Sequence, residues 1–296
     1  CIIRDNVGST SGIGWGGGLG FYHGNPTVID CLIEDNVAST ARNGYGGGVY
    51  FRYGLTTLQD TIIRDNVAST VSDGRGGGVA SHFSNLTMER NIVWRNTANA
   101  DPARSGYGGG VYLNRTTGPE MTNNVVAHNR LTGNGNGSGL FLYDTNLRLL
   151  HTTLANNTGG AGQGMYALAG ATVEMTNTIL AGQTVGVHAF GTGTTIELEA
   201  TLGWDNGTWA LATDGGAVTL KAPSWEAMPG FVDAEDGDYH LQASSPAVNA
   251  GLPLPGVDLD RDSNPRPDCV AWDIGAYETQ GLPCWSIDLP LILRSG

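Results

Sequence analysis

Asp35-Asn36-Val37-Ala38-Ser39-Thr40 returns unchanged as Asp65-Asn66-Val67-Ala68-Ser69-Thr70, and a near copy stands at Asp5-Asn6-Val7-Gly8-Ser9-Thr10. The chain thus repeats every 30 residues over its first third. Aligned on one asparagine, the copies run on through Asn6, Asn36, Asn66, Asn96, Asn129, Asn157, Gln183 and Asn206, at spacings of 30, 30, 30, 33, 28, 26 and 23. A glycine cluster entering an apolar run gives a second anchor: GGGLGF at 16–21, GGGVYF at 46–51, GGGVAS at 76–81, GGGVYL at 108–113, GSGLFL at 137–142 and GQGMYA at 162–167. From the last glycine of each cluster to the next ladder residue the count is 18 or 19, whereas from ladder residue to its own cluster it falls from 12 to 7. One loop is elastic and the rest is held constant.

A fixed segment with one elastic loop is the sequence signature of a solenoid. Runs such as Thr61-Ile62-Ile63 and Leu86-Thr87-Met88 are short, β-branched or apolar and bounded by Gly, Asn and Asp, without a sustained 3.6-residue period. The expected fold is therefore all-β, a β-solenoid of about eight coils over residues 1–220. Stacked coils place equivalent residues about 4.8 Å apart. An Asn at the same turn of every coil can then donate its amide to the next. The repeats resemble those of right-handed parallel β-helix proteins of the pectate-lyase-like class, which implies that fold and leaves function open.

Residues 221–285 change character. PGFVDAEDGDYHLQASSPAVNAG at 229–251, DLDRDSNPRP at 258–267 and DIGAYE at 273–278 resemble the C-terminal module of bacterial secreted choice-of-anchor β-helix proteins. That resemblance implies a module that closes the helix, followed by a variable tail, and a location outside the cell or on a bacterial surface. Residues 286–296 form the tail here, and Ile287, Leu289, Leu291, Ile292 and Leu293 would make one apolar strand. The chain opens in mid-repeat, so its first coil is expected to present an open sheet edge. Edge and tail strand together suggest head-to-tail self-association into a fibre.

Composition narrows the functional classes. A net charge of −13 argues against nucleic acid and against anionic membranes, and no apolar run is long enough to span a bilayer. Cys269 and Cys284 are a candidate staple in the C-terminal module; Cys1 and Cys31 share one repeat position, either bonded or merely stacked. Asp258, Asp260 and Asp262 have the alternate spacing of a calcium loop but lack its closing Glu, so calcium is the one candidate cofactor. The competing reading pairs Asp258, Asp260 and Asp273 with Arg261 and Arg266.

No catalytic set stands out. Asp5, Asp35 and Asp65 form a column beside Arg4, Glu34 and Arg64, which reads as a compensated surface ladder, and the six histidines are scattered singly as surface or turn residues. Trp15, Tyr45, Arg75 and Tyr107 precede the glycine cluster in four successive coils. Exposed, they would be a binding ladder for a surface polysaccharide or a protein; buried, they would pack the loop. The expected function is a non-enzymatic structural or adhesive surface protein, the alternative a polysaccharide lyase, glycoside hydrolase or polysaccharide-binding module.

Overall fold

In the computed structural model, residues 1–116, 118–268 and 271–281 are described. The repeats stack as parallel strands, and no helix occurs among the described residues. A first sheet has nine strands, from Ile2–Arg4 through Leu32–Glu34 and Ile62–Arg64 to Trp225–Glu226. A second has six, beginning Val7–Ser9, and a third has five, beginning Gly14–Trp15. The fourth has 14 strands and contains the long Val49–Gln59 and Val79–Glu89. Register follows the repeat: Ile33 lies between Ile3 and Ile63, and Val93 follows.

The coil count needs correcting. Six turns carry the second sheet, and three further turns continue the first sheet without it. Shortening of the elastic loop explains the difference. At 12 residues it holds two short strands, whereas after Gln183 it holds neither. The solenoid also runs past residue 220, because Trp225 still pairs with Leu202.

Corners fix the residue types. Asp5, Asp35, Asp65, Arg95, His128 and Asn156, each just before a ladder asparagine, all have φ between 53° and 59°. Asp and Asn enter this left-handed region most readily of the residues with a side chain, which accounts for the Asp-Asn pairs of the repeat. In the glycine cluster, Gly46 takes φ 63°, and a Cβ on Gly47 would lie 2.2 Å from the Gly77 carbonyl oxygen.

The ladder asparagines from Asn36 to Asn157 are buried, and Asn66 shows how they are satisfied. Asn66 Oδ1 accepts from Asn36 N at 3.0 Å and from Asn36 Nδ2 at 2.9 Å. Its own Nδ2 donates to Asn96 Oδ1 at 3.0 Å and to the Ile33 carbonyl at 2.9 Å. The pattern continues to Asn157. There it breaks: no hydrogen bond joins Asn157 to Gln183, and Gln183 Oε1 is buried without a partner. The Gln183 amide still lies against its cluster glycine, Gly164, and donates to the Leu154 carbonyl as the ladder asparagines do to theirs, but its longer side chain does not present Oε1 to Asn157. Inside the coils, Ile33, Ile63, Val93, Val126, Leu154 and Leu180 form one continuous column of the core.

Asn66→Ala leaves four main- or side-chain partners unmatched in a dry interior and is expected to cost about 3 kcal/mol in urea denaturation. Gln183→Asn should restore the ladder and raise stability by about 1 kcal/mol. An unchanged denaturation midpoint in Gln183→Asn would show that the interruption costs nothing.

Candidate functional site on the outer faces of the coils

Trp15, Tyr45, Arg75 and Tyr107 are consecutive register partners on the third sheet, and all four are half-buried. The Trp15 and Tyr45 rings stack at 4.2 Å with 15° between planes. The Arg75 guanidinium lies between the Tyr45 ring at 5.1 Å and the Tyr107 ring at 5.4 Å. Because the planes stack along the coil axis, their faces are turned to one another and their edges outward. Behind them Tyr50, Tyr112, Phe141 and Tyr166 fill the angle between the third and fourth sheets. The ladder thus both packs its loop and leaves an aromatic rim.

Arg52, His82 and Asn114 form the adjoining column, again register partners. Arg52 Nε, His82 Nδ1 and Asn114 Oδ1 are each buried without a hydrogen-bond partner. Burial, then the positive charges of Arg52 and Arg75, press the His82 imidazole down to about 4, so it is neutral at neutral pH. Tyr53 and Phe83 stack at 5.6 Å on the far side, both partly exposed. Neither Arg52 nor Arg75 has a carboxylate partner among the described residues, as is also true of Arg42 and Arg130, whereas Arg64, Arg90, Arg95, Arg115 and Arg148 each do.

The acidic column is compensated at Asp5 and Asp65, while Asp35 has no ion-pair partner among the described residues. Arg64 reaches Glu34 at 2.6 Å and Arg95 reaches Asp65 at 3.2 Å. Asp5, Asp35 and Asp65 sit at the left-handed corner, so their identity has a backbone cause. Cys1 and Cys31 have Sγ atoms 2.9 Å apart and are unlinked. Cys269, Cys284 and the apolar strand at 287–293 lie outside the described residues.

The C-terminal module does not sit over the end of the solenoid. It lies along the outer side of the first sheet, where Tyr239, Leu241, Ala247, Ile274, Ala276 and Tyr277 pack on Val125, Ala127, Ala155, Ile179 and Leu202. Corner residues of the coils hold it. Asn123 Nδ2 donates to the Leu259 carbonyl at 2.7 Å and Asn177 Nδ2 to the Leu252 carbonyl at 2.8 Å. His128 Nε2 meets the Ala234 carbonyl at 3.0 Å, and His151 Nδ1 meets that of Asp273 at 3.1 Å. His151 and His188 are thus buried and His82 half-buried rather than surface residues, in two cases because of aromatic neighbours and in one because the module covers it.

Asp258, Asp260 and Asp262 do not converge. Asp260 is buried, and its oxygens accept from the backbone N–H groups of Asp262, Asn264 and Glu278 at 2.8–2.9 Å. Asp262 pairs with His240 at 2.8 Å, while Asp258 is exposed. Among the described residues no three His, Cys, Asp or Glu side chains are placed to hold a metal ion. The pairing of Asp258, Asp260 and Asp273 with Arg261 and Arg266 does not form either: Arg261 meets Asp262 and Arg266 meets Glu278. The Arg266 guanidinium is buried, 3.4 Å from Glu278, and it donates to the carbonyls of Asp273 at 2.9 Å and Gly275 at 3.2 Å. Asp273 accepts from Asn249 N and Thr279 N, both at 2.7 Å. Burial pushes the Glu278 carboxyl up to about 7 despite that guanidinium.

With the coil geometry established, the family is defined: a family model described as the right-handed β-helix region matches residues 1–202, and the chain belongs to that family. Comparison with curated proteins gives no match. Among solved structures, a crystal structure of pectate lyase Pel9A is similar, with a TM-score of 0.47 and 12% identity over 94% of this chain and 87% of that one.

The module carries a pH-dependent lock. His240 lies between Asp262 at 2.8 Å and Asp238 at 2.6 Å, against the Tyr277 ring, and these carboxylates raise its imidazole to about 9. A raised folded-state value means that the stabilisation is full below pH ~6.5 and is lost as pH rises through about 9. After solvent screening of this half-exposed group the loss is about 1 kcal/mol. Denaturation at pH 7 and pH 9.5 should show it, and His240→Gln should flatten the difference; an equal drop in His240→Gln would assign it elsewhere.

Proposed function

We propose that this protein is a non-enzymatic adhesive rod acting outside the cell, at a bacterial surface, which engages a surface polysaccharide along Trp15, Tyr45, Arg75 and Tyr107. The observation that carries this reading is the position of Arg52 and Arg75, which have no carboxylate partner among the described residues, beside an aromatic rim in a chain of net charge −13. A guanidinium withheld from abundant local carboxylates is available to an outside acceptor. Tyrosine hydroxyls and guanidinium N–H groups recur at the coil spacing of about 4.8 Å, which suits a linear polymer laid along the axis. The aromatic edges supply the apolar part of the contact.

The regularity of the coils supports binding over cleavage. Polysaccharide cleavage needs unlike residues held at one point, and the acidic column instead repeats one left-handed corner from coil to coil. Affinity electrophoresis against a polysaccharide panel checks the proposal. Arg75→Ala should weaken retention by about five- to tenfold, the loss of one partly desolvated cation–π and hydrogen-bonding group. Unchanged retention would overturn the ladder as the binding surface. Release of reducing ends or unsaturated products, abolished in Asp35→Asn with Asp65→Asn, would make the protein an enzyme instead.

A further inference from the structure

Cys1, Cys31, Thr61, Asn91 and Asn124 each stand one place before a strand of the first sheet and so form one column. From Asn124 back to Cys31, a side chain ties every neighbouring pair. Asn91 N and Nδ2 donate to Asn124 Oδ1 at 2.9 and 3.0 Å, Thr61 N donates to Asn91 Oδ1 at 3.0 Å, and Cys31 N donates to Thr61 Oγ1 at 3.3 Å. Between the first two coils the next acceptor in line is the Cys31 sulfur, and a thiol sulfur accepts only weakly. The apolar contacts of the module begin only in the coil of Trp94, so the module does not brace this end.

A pair of thiols stands where the tie is lost. Ile2 pairs with Leu32, and Leu32 N donates to the Cys1 carbonyl at 2.7 Å, which sets Cys1 directly against Cys31. Neighbouring strands are about 4.8 Å apart, inside the Cα separation of roughly 4.4–6.8 Å that a disulfide spans. The two Sγ atoms already meet at 2.9 Å, and bonding draws them to about 2.05 Å. Cys1 is exposed, so a small oxidant reaches it, while Cys31 is half-buried with its Sγ 3.2 Å from the Ile29 carbonyl oxygen. An accessible thiol beside a held one is the arrangement of an attacking and a resolving cysteine.

We infer that Cys1 and Cys31 are a redox-closed clasp, which a small-molecule disulfide converts into a covalent bond between the first coil and the second. The Cys1 thiol gives up its proton, and its thiolate attacks one sulfur of the oxidant; the other sulfur leaves with the bonding pair and takes up that proton. Cys31 Sγ, deprotonated in turn, attacks Cys1 Sγ in the mixed disulfide and expels the second small thiolate, which is protonated likewise. Two cysteine thiols and one small disulfide become one Cys1–Cys31 bond and two small thiols, so the two electrons lost by the cysteines end on the sulfurs of the oxidant.

Peptide mapping of the full chain tests the bond. After incubation with glutathione disulfide and tryptic digestion without reductant, the peptide spanning Cys1 to Arg4 should be joined to that spanning Asp5 to Arg42, two hydrogens lighter than the free pair, and dithiothreitol should separate them. Hydrogen exchange reads what the bond does. The N–H groups of Leu32 and Val37 donate to the Cys1 and Asn6 carbonyls at 2.7 and 2.8 Å, and they should exchange at least tenfold more slowly in the oxidised chain. In Cys1→Ser and in Cys31→Ser that slowing should vanish, with the circular dichroism unchanged. Unlinked peptides, glutathione retained on Cys1 of the unsubstituted chain, or linkage of either residue to Cys269, Cys284 or a second chain would overturn the pairing. A closed bond with unchanged exchange, or equal slowing in the serine variants, would overturn the clasp. None of these outcomes bears on the aromatic ladder, which contains neither cysteine.

Discussion

One amide per coil governs this structure. A buried Asn side chain can be fully satisfied only when another Asn stands directly above and a third directly below, because each Oδ1 takes two donors from the coil before it. That requirement fixes register to the residue and forces the elastic loop to bulge outward whenever its length changes. The left-handed corner one residue earlier is the backbone condition for aiming the amide inward, which is why Asp, Asn, His and Arg follow one another there. Core, sheets and corners are arranged around keeping those amides dry and paired.

A fold built by stacking like on like gives its surfaces the same property. Columns of equivalent residues become ladders, and a ladder is suited to touching something long and repetitive. The Trp15–Tyr45–Arg75–Tyr107 column has this character. Where two unlike elements meet, the symmetry is lost and singular environments arise. The buried cluster of Arg266, Glu278 and Asp273 is of that second kind. The molecule combines an extended contact surface with a singular cluster, and they lie on different flanks.

Much of the solenoid was legible in the sequence because its controlling interactions act between residues one repeat apart. The Asn ladder, the glycine corner and the partner columns all follow from counting. The break at Gln183 was not, since Gln and Asn read alike until the extra methylene is seen to leave Oε1 without the donors of Asn157. The docking of the module was missed for a different reason: position at the end of a chain suggests position at the end of a rod. A signal was nevertheless present. The outward position of the first sheet reads Arg4, Glu34, Arg64 in the first three coils, then Trp94, Ala127, Ala155 and Ala181. A column that turns from charged to small and apolar announces that something covers it. Of the candidate site, residue type and column were readable, but not that the rings face one another or that the arginines beside them lack partners.

The lateral module also alters how the solenoid holds together. In a simple stack each coil touches only its neighbours, so strands can peel from an end one at a time, each step costing only one interface. From Trp94 onward a single strap contacts coils distant in sequence, Asn123 and Leu259 for example lying 136 residues apart. Removing one of those coils means disturbing the strap and therefore all the others beneath it. The chain is thus divided mechanically: the coils before Trp94 are tied only to their neighbours, whereas those under the strap yield together or not at all.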